Sequence, residues 1–215
     1  MTRLLLADDH RSFVEVLAVL LGAEPDLQVV AVSRPDEALR VGRSGSIDVA
    51  VLAVDGAGGD YLSTGEALLA ARPDIRLVAV AQGCDVATLA RVLRTGFRAW
   101  VPKAEGVDAL LDAVAAVLRG ETHVPPLLLT ELLAHLFREE AEVRTAETRL
   151  AALSTRERQV LEAMAHGWSG AEIAEELAIS PNTVRTHTQN ILAKLDLHTS
   201  LAAVALARRA GIAGP

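Results

Sequence analysis

Residues 180–195 read as one helix, and one of its faces carries Asn182, Arg185, Thr186, Gln189 and Ala193, with His187, Asn190 and Lys194 beside them. That face holds short polar groups, one arginine, one lysine and no carboxylate. Groups of this kind can hydrogen-bond base edges and phosphates, and a helix is narrow enough to enter a DNA major groove. An ordinary solvated face has the same composition, so the segment alone leaves both readings open. At the other end of the chain, Asp8 and Asp9 follow a continuous apolar run, and Lys103 is one of only two lysines in a chain that otherwise uses arginine.

The spacing that creates the polar face also supplies its support. Val184, Thr188, Ile191, Leu192 and Leu195 recur at intervals of three and four, a stripe that requires a core beneath it. Ser180 can cap the free N–H groups of the first turn, and Pro181 occupies the position where no N–H is needed.

Three segments provide that setting. Residues 1–120 alternate short apolar runs at 3–7, 29–32, 49–54, 77–81 and 99–101 with helical patterns at 12–22, 35–43, 64–72, 86–95 and 107–118. Five such β-then-α repeats, with β-branched strands apolar on both faces, predict a parallel sheet sandwiched by helices, its functional crevice at the carboxyl ends of the strands. Residues 121–150 read as a linker: Pro125-Pro126 stiffens its start, one helix covers 127–137, and a charge-rich, mobile stretch follows. Residues 151–215 read as four helices, at 155–166, 171–177, 181–195 and 200–209, with Gly167 ending the first.

The net charge of −7 argues against a nucleic-acid binder until it is divided along the chain. Residues 1–120 hold twelve basic against sixteen acidic side chains, residues 121–150 three against six, and residues 151–215 six against six. A neutral module can bind DNA when its positive charge sits on one face, with weak non-specific affinity. At 51% hydrophobic and 23% charged, the chain can build buried cores. No apolar run reaches a bilayer span, so no membrane partner is expected. The start lacks a basic segment or cleavage site, and the single cysteine, Cys84, fits a reducing compartment, so a cytoplasmic location is expected. The six histidines are scattered without zinc-ligand spacing, and no nucleophile–base constellation or phosphate-cradling glycine motif is present, so neither a metal centre, a cofactor nor an enzyme is expected.

Leu153-Ser154-Thr155-Arg156-Glu157-Arg158-Gln159-Val160-Leu161, Gly167, Glu172-Ile173-Ala174, Leu177 and the run from Ser180-Pro181-Asn182-Thr183-Val184 to Ile191-Leu192-Ala193-Lys194-Leu195 resemble the LuxR-type helix-turn-helix. With the front half included, the chain resembles a NarL/FixJ-type response regulator over essentially its whole length. The resemblance implies a flavodoxin-like, doubly wound five-stranded receiver over 1–120 and an all-α DNA-binding domain over 151–215. It implies that Arg185, Thr186 and Gln189 face bases, while Thr183, His187, Asn190 and Lys194 touch or lie near phosphates. Arg can take guanine, Gln adenine, and Thr a thymine methyl. Arg156 and Glu157 are expected to pair within the module and hold its first helix. Gly170 stands where the family often has Asn. In the helix at 200–209, the run Leu201–Ala207 is apolar all round, and the resemblance implies that homodimers form through this helix on DNA.

In such receivers an acidic pair holds Mg²⁺, an Asp after the third strand accepts the phosphoryl group, and a Ser/Thr and a Lys bind its oxygens. Asp8, Asp9 and Lys103 match the pair and the lysine. Ala53 falls at the phospho-acceptor position and Ala81 at the hydroxyl position, and Trp100 stands where the family often has a smaller switching aromatic. Asp55, two residues beyond Ala53, is the possible surrogate acceptor, although Asp55-Gly56-Ala57-Gly58-Gly59 reads as a loop. Without an acceptor, Asp8 and Asp9 are expected to pair with Lys103 and hold the site closed. The expectation is a DNA-binding transcription regulator controlled by a ligand at the receiver, a partner or abundance. The alternatives are a phospho-switch on Asp55, or an interaction protein that titrates a partner.

Overall fold

The computed structural model describes residues 1–44, 46–54, 60–83 and 85–212. The chain forms two compact units, Met1–His135 and Leu136–Pro215. Among the described residues no helix is long and apolar enough to cross a membrane.

In the first unit, strands β1 (Thr2–Ala7), β2 (Leu27–Val32), β3 (Val49–Ala53), β4 (Arg76–Ala81) and β5 (Ala99–Pro102) form one sheet in the order β2-β1-β3-β4-β5. All neighbouring pairs are parallel. Parallel strands need crossovers, and helices α1 (Arg11–Gly22), α2 (Pro35–Gly42), α3 (Tyr61–Ala71), α4 (Val86–Arg94) and α5 (Gly106–Leu118) supply them. The central strands are buried on both faces, which explains their uninterrupted apolar sequences. On one face Leu4, Leu6, Val51 and Val80 pack with Val14 and Leu17 of α1 and Leu110 and Val114 of α5. Alternation turns Leu5, Leu52, Leu77 and Trp100 to the other layer. There α3 approaches closely: a Cβ on Gly65 would lie 2.6 Å from the ring of Phe97.

Two elements differ from the sequence reading. Helix α3 begins at Tyr61, not Thr64, because the Asp60 carboxylate accepts from the Ser63 backbone N–H at 3.0 Å and starts the helix one turn earlier. Helix α6 runs from Pro126 to Leu150, so the expected mobile stretch after Phe137 is helical. Its charges sit at helical spacing, as in the Arg144–Glu140 pair at 2.6 Å, and Leu150 is anchored in the second core. Between α5 and α6, the Trp100 N–H donates to the His123 carbonyl and the His123 N–H to the Arg98 carbonyl, both at 2.9 Å, which covers the outer edge of β5.

The second unit packs α7 (Thr155–Ala165), α8 (Gly170–Glu176), α9 (Pro181–Lys194) and α10 (Ser200–Arg209) around Val160, Leu161, Ile173, Val184, Ile191 and Ala203. Each helix opens on a hydroxyl cap: Ser154, Ser169, Ser180 and Thr199 accept from the N–H three residues on. Gly167, at φ 86°, ends α7 as its position predicts, while Ala178 takes φ 52° without being glycine to make the tight turn between α8 and α9.

Candidate nucleic-acid interface and carboxyl-edge site

Helix α9 turns Val184 and Ile191 into the core and leaves Asn182, Arg185, Thr186, Gln189, Asn190, Ala193 and Lys194 exposed. Thr183 and His187 are half-buried at the margin. The Thr183 hydroxyl is 2.8 Å from that of Ser180, in the cap, and Thr186 donates to the Asn182 carbonyl at 3.1 Å. Arg185, Gln189 and Asn190 make no side-chain hydrogen bond or ion pair among the described residues. The face therefore presents donors that nothing in its own unit has claimed.

Lys194 is the exception. Its Nζ donates to Glu157 Oε2 at 2.7 Å, and the same oxygen accepts from the Ser154 N–H and hydroxyl, both at 2.8 Å. Glu157 is only 4% exposed. The Lys194 ammonium, reinforced by the Ser154 donors, holds its carboxyl down at about 2 against the burial that opposes it. Arg156 donates to Gln159 at 2.9 Å and to the Leu177 carbonyl, joining α7 to the turn before α9. Both residues act within the module, with different partners. Sequence reasoning did not find the Glu157–Lys194 contact, because the two are far apart in the chain and only the packing of α7 against α9 joins them.

In the first unit, the strand ends collect the other candidates. Asp8 follows β1, Ala53 ends β3, Ala81 ends β4 and Lys103 follows β5. The register sets Ala7 beside Leu52, Ala53 beside Val80 and Ala81 beside Pro102, so these positions line the carboxyl edge on successive strands. Asp8 is 1% exposed, and Lys103 Nζ lies 2.7 Å from its Oδ2. Since β3 and β4 stand between β1 and β5, this pair bridges their ends, where Ala53 and Ala81 contribute buried methyl groups. The Lys103 ammonium also lies 5.1 Å from the Phe13 ring centroid.

Asp8 Oδ1 accepts from the His10 N–H at 2.9 Å, and His10 Nδ1 lies 3.0 Å from both Asp8 Oδ1 and Asp9 Oδ1. Burial first, then the Asp9 and Asp8 charges, push the nearby Tyr61 phenol up to about 12. Among the described residues, the Tyr61 hydroxyl and Trp100 Nε1 are buried without a hydrogen-bond partner. His10 and Tyr61 were not singled out from sequence. The adjacency of His10 to the acids was its only signal. Asp55 lies outside the described residues.

Residues 151–207 match the family model for bacterial regulatory proteins of the luxR family. The transcriptional regulatory protein UhpA of Escherichia coli is 33% identical over 205 residues, covering 95% of both chains. The chain belongs to the response regulators of the NarL/FixJ type. DegU of Brevibacillus brevis, another transcriptional regulatory protein, is 28% identical over 94% of this chain and 91% of its own. Among solved structures, the RcsB response regulator of Salmonella typhimurium shares the fold, with a TM-score of 0.55 at 19% identity over 95% of this chain and 96% of its own. A NarL/FixJ-type regulator thus joins a doubly wound receiver to a LuxR-type helix-turn-helix. The Mg²⁺ that such receivers use takes near-octahedral oxygen ligands. Asp8, Asp9 and His10 hold ligand atoms within 4.8 Å of one another. One of those is a nitrogen, Ala53 offers no side-chain oxygen, and the Lys103 ammonium is already paired with Asp8. The residues do not fit Mg²⁺.

Proposed function

We propose that this response regulator binds DNA through α9 and is controlled without phosphorylation of its receiver. The observation that supports the reading is the carboxyl edge, where Ala53, which we assign to the phospho-acceptor position, ends β3 and Lys103 is already joined to Asp8. A methyl group cannot accept a phosphoryl group, and the ammonium that would bind its oxygens is engaged. Control then falls to a ligand at that edge, a protein partner or abundance. Arg185, Thr186 and Gln189 read bases. Thr183, His187 and Asn190 lie toward phosphates, and Lys194 reaches one when it leaves Glu157.

Homodimers form through α10, where Ala203 and Ala207 are buried in the module but Leu201 is 78% exposed and Ala205 is exposed one turn on. A two-fold pair of modules reads half-sites about 10–10.5 base pairs apart, or multiples of that spacing.

The test is selection of bound genomic DNA by the full chain, with and without a small phosphodonor or beryllofluoride in Mg²⁺. The same sites with the same affinities are expected in both arms. A phospho-adduct accompanied by tighter binding would falsify the reading. In the same assay Arg185→Ala is expected to relax preference at one position per half-site and cost about 1–3 kcal/mol there. A uniform loss across sequences would instead assign Arg185 to phosphate.

A further inference from the structure

The opposite edge of the receiver sheet carries a cavity of about 420 Å³, away from the strand ends that bear Asp8 and Lys103. Its lining includes the apolar side chains of Leu69, Ile75 and Val117 and two arginines, Arg76 and Arg98. The setting is unexpected on charge grounds, because residues 1–120 carry four more acids than bases. The acids nearest in sequence are already taken. Asp74 is paired with Arg72 at 2.6 Å, and Glu121 with Arg119 at 2.7 Å. Arg76 donates to the Asp74 carbonyl at 2.5 Å. Arg98 makes no side-chain hydrogen bond or ion pair among the described residues.

Arginines at this edge have an ordinary explanation where they sit at helix C-termini, whose carbonyl ends attract cations. That accounts for Arg72 and Arg119. It does not account for Arg98, which lies between α4 and β5 and neutralises no carbonyl. The cavity is also firmly built. The Arg98 N–H donates to the Leu77 carbonyl and its carbonyl accepts from the His123 N–H, both at 2.9 Å. Ile75 and Val117 are buried. Gly96 sits at φ +105°, and a Cβ there would come 2.7 Å from Leu69 Cδ1, displacing the wall. A preformed concavity of a few hundred Å³ that combines apolar side chains with charged ones has the size of a small-molecule site.

We propose that this amino-edge cavity binds a small organic anion: an apolar body against Leu69, Ile75 and Val117, and a carboxylate or phosphate head on Arg98 and Arg76. Guanidinium groups suit both heads, since each offers paired oxygens to planar N–H donors.

The experiment titrates the isotopically labelled full chain with 2-naphthoate, 2-naphthyl phosphate and inorganic phosphate, following backbone amide shifts. Saturable shifts at Gly96, Arg98 and Gly120 are expected with at least one naphthyl probe and not with inorganic phosphate at the same concentration. The tighter naphthyl probe identifies the head group. Arg98→Glu, at an exposed position, is expected to weaken binding roughly tenfold or more while leaving distant amides unmoved. Arg76→Gln is expected to weaken it less, because that guanidinium also serves the Asp74 carbonyl. The proposal is overturned if no saturable shift occurs, if inorganic phosphate produces the same shifts, or if Arg98→Glu binds as well as the parent.

Discussion

Replacing Lys103 by methionine is expected to destabilise the receiver by about 3–5 kcal/mol, the scale seen when one partner of a buried ion pair is removed. The reason is Asp8. It is 1% exposed, and Lys103 Nζ, on a side chain 9% exposed, is 2.7 Å away. Methionine keeps most of the aliphatic stem and its packing, so the loss isolates the charge. His10 remains beside Asp8 Oδ1 but is more than half exposed and cannot replace a buried ammonium. Urea unfolding of a Trp168→Phe background, read on Trp100 fluorescence, follows this unit alone. The double variant Asp8→Asn with Lys103→Met is expected to recover much of the loss, since it leaves no buried charge. An unchanged unfolding midpoint in the single variant would remove the Asp8–Lys103 bridge as the element holding the edge closed.

The second large effect concerns Glu157 and is a dependence on pH. Its folded carboxyl is held at about 2, below the ordinary value of 4.5. A depressed carboxyl contributes stability that is fully present above the unfolded value and is lost as pH falls through the folded one. The helix-turn-helix unit is therefore expected to lose up to about 3 kcal/mol between roughly pH 4.5 and pH 2 through this group. Glu157→Gln should lower stability at neutral pH by a similar order and flatten that acid limb, followed on Trp168 fluorescence. It should also release Lys194, which is 43% exposed and can turn to a phosphate. The salt dependence of DNA binding is then expected to steepen by about one phosphate contact. A variant with the parent's acid limb and salt slope would show that the pair is incidental to both stability and binding.

Much of the fold was legible because it rests on local pattern. The continuous apolar runs of β1, β3 and β4 gave the parallel sheet, and the stripe Val184, Thr188, Ile191 fixed which face of α9 would be exposed. Lys103 beside Asp8 could be anticipated only from the resemblance to receivers, which places both at the carboxyl ends of the strands. Elements whose cause is not local were missed. Helix α6 was cut short at Phe137 because charge density reads as solvated chain, whereas Glu140 and Arg144 support a helix only through their spacing. The start of α3 was misplaced because a single capping Asp60 outweighs the loop-like residues before it. Neither the Lys194–Glu157 contact nor the cavity around Arg98 leaves any mark on a linear pattern. Both exist only once separate elements are packed.

The bridge across the strand ends also bears on the order in which the molecule is made. Asp8 leaves the ribosome early, and β1 can pair with β2 and β3 long before Lys103 exists. Until β5 adds to the edge of the sheet, Asp8 has no ammonium beside it, and burying it would strand a charge. Closure of the carboxyl edge by this pair therefore cannot precede synthesis of Lys103, the residue after β5.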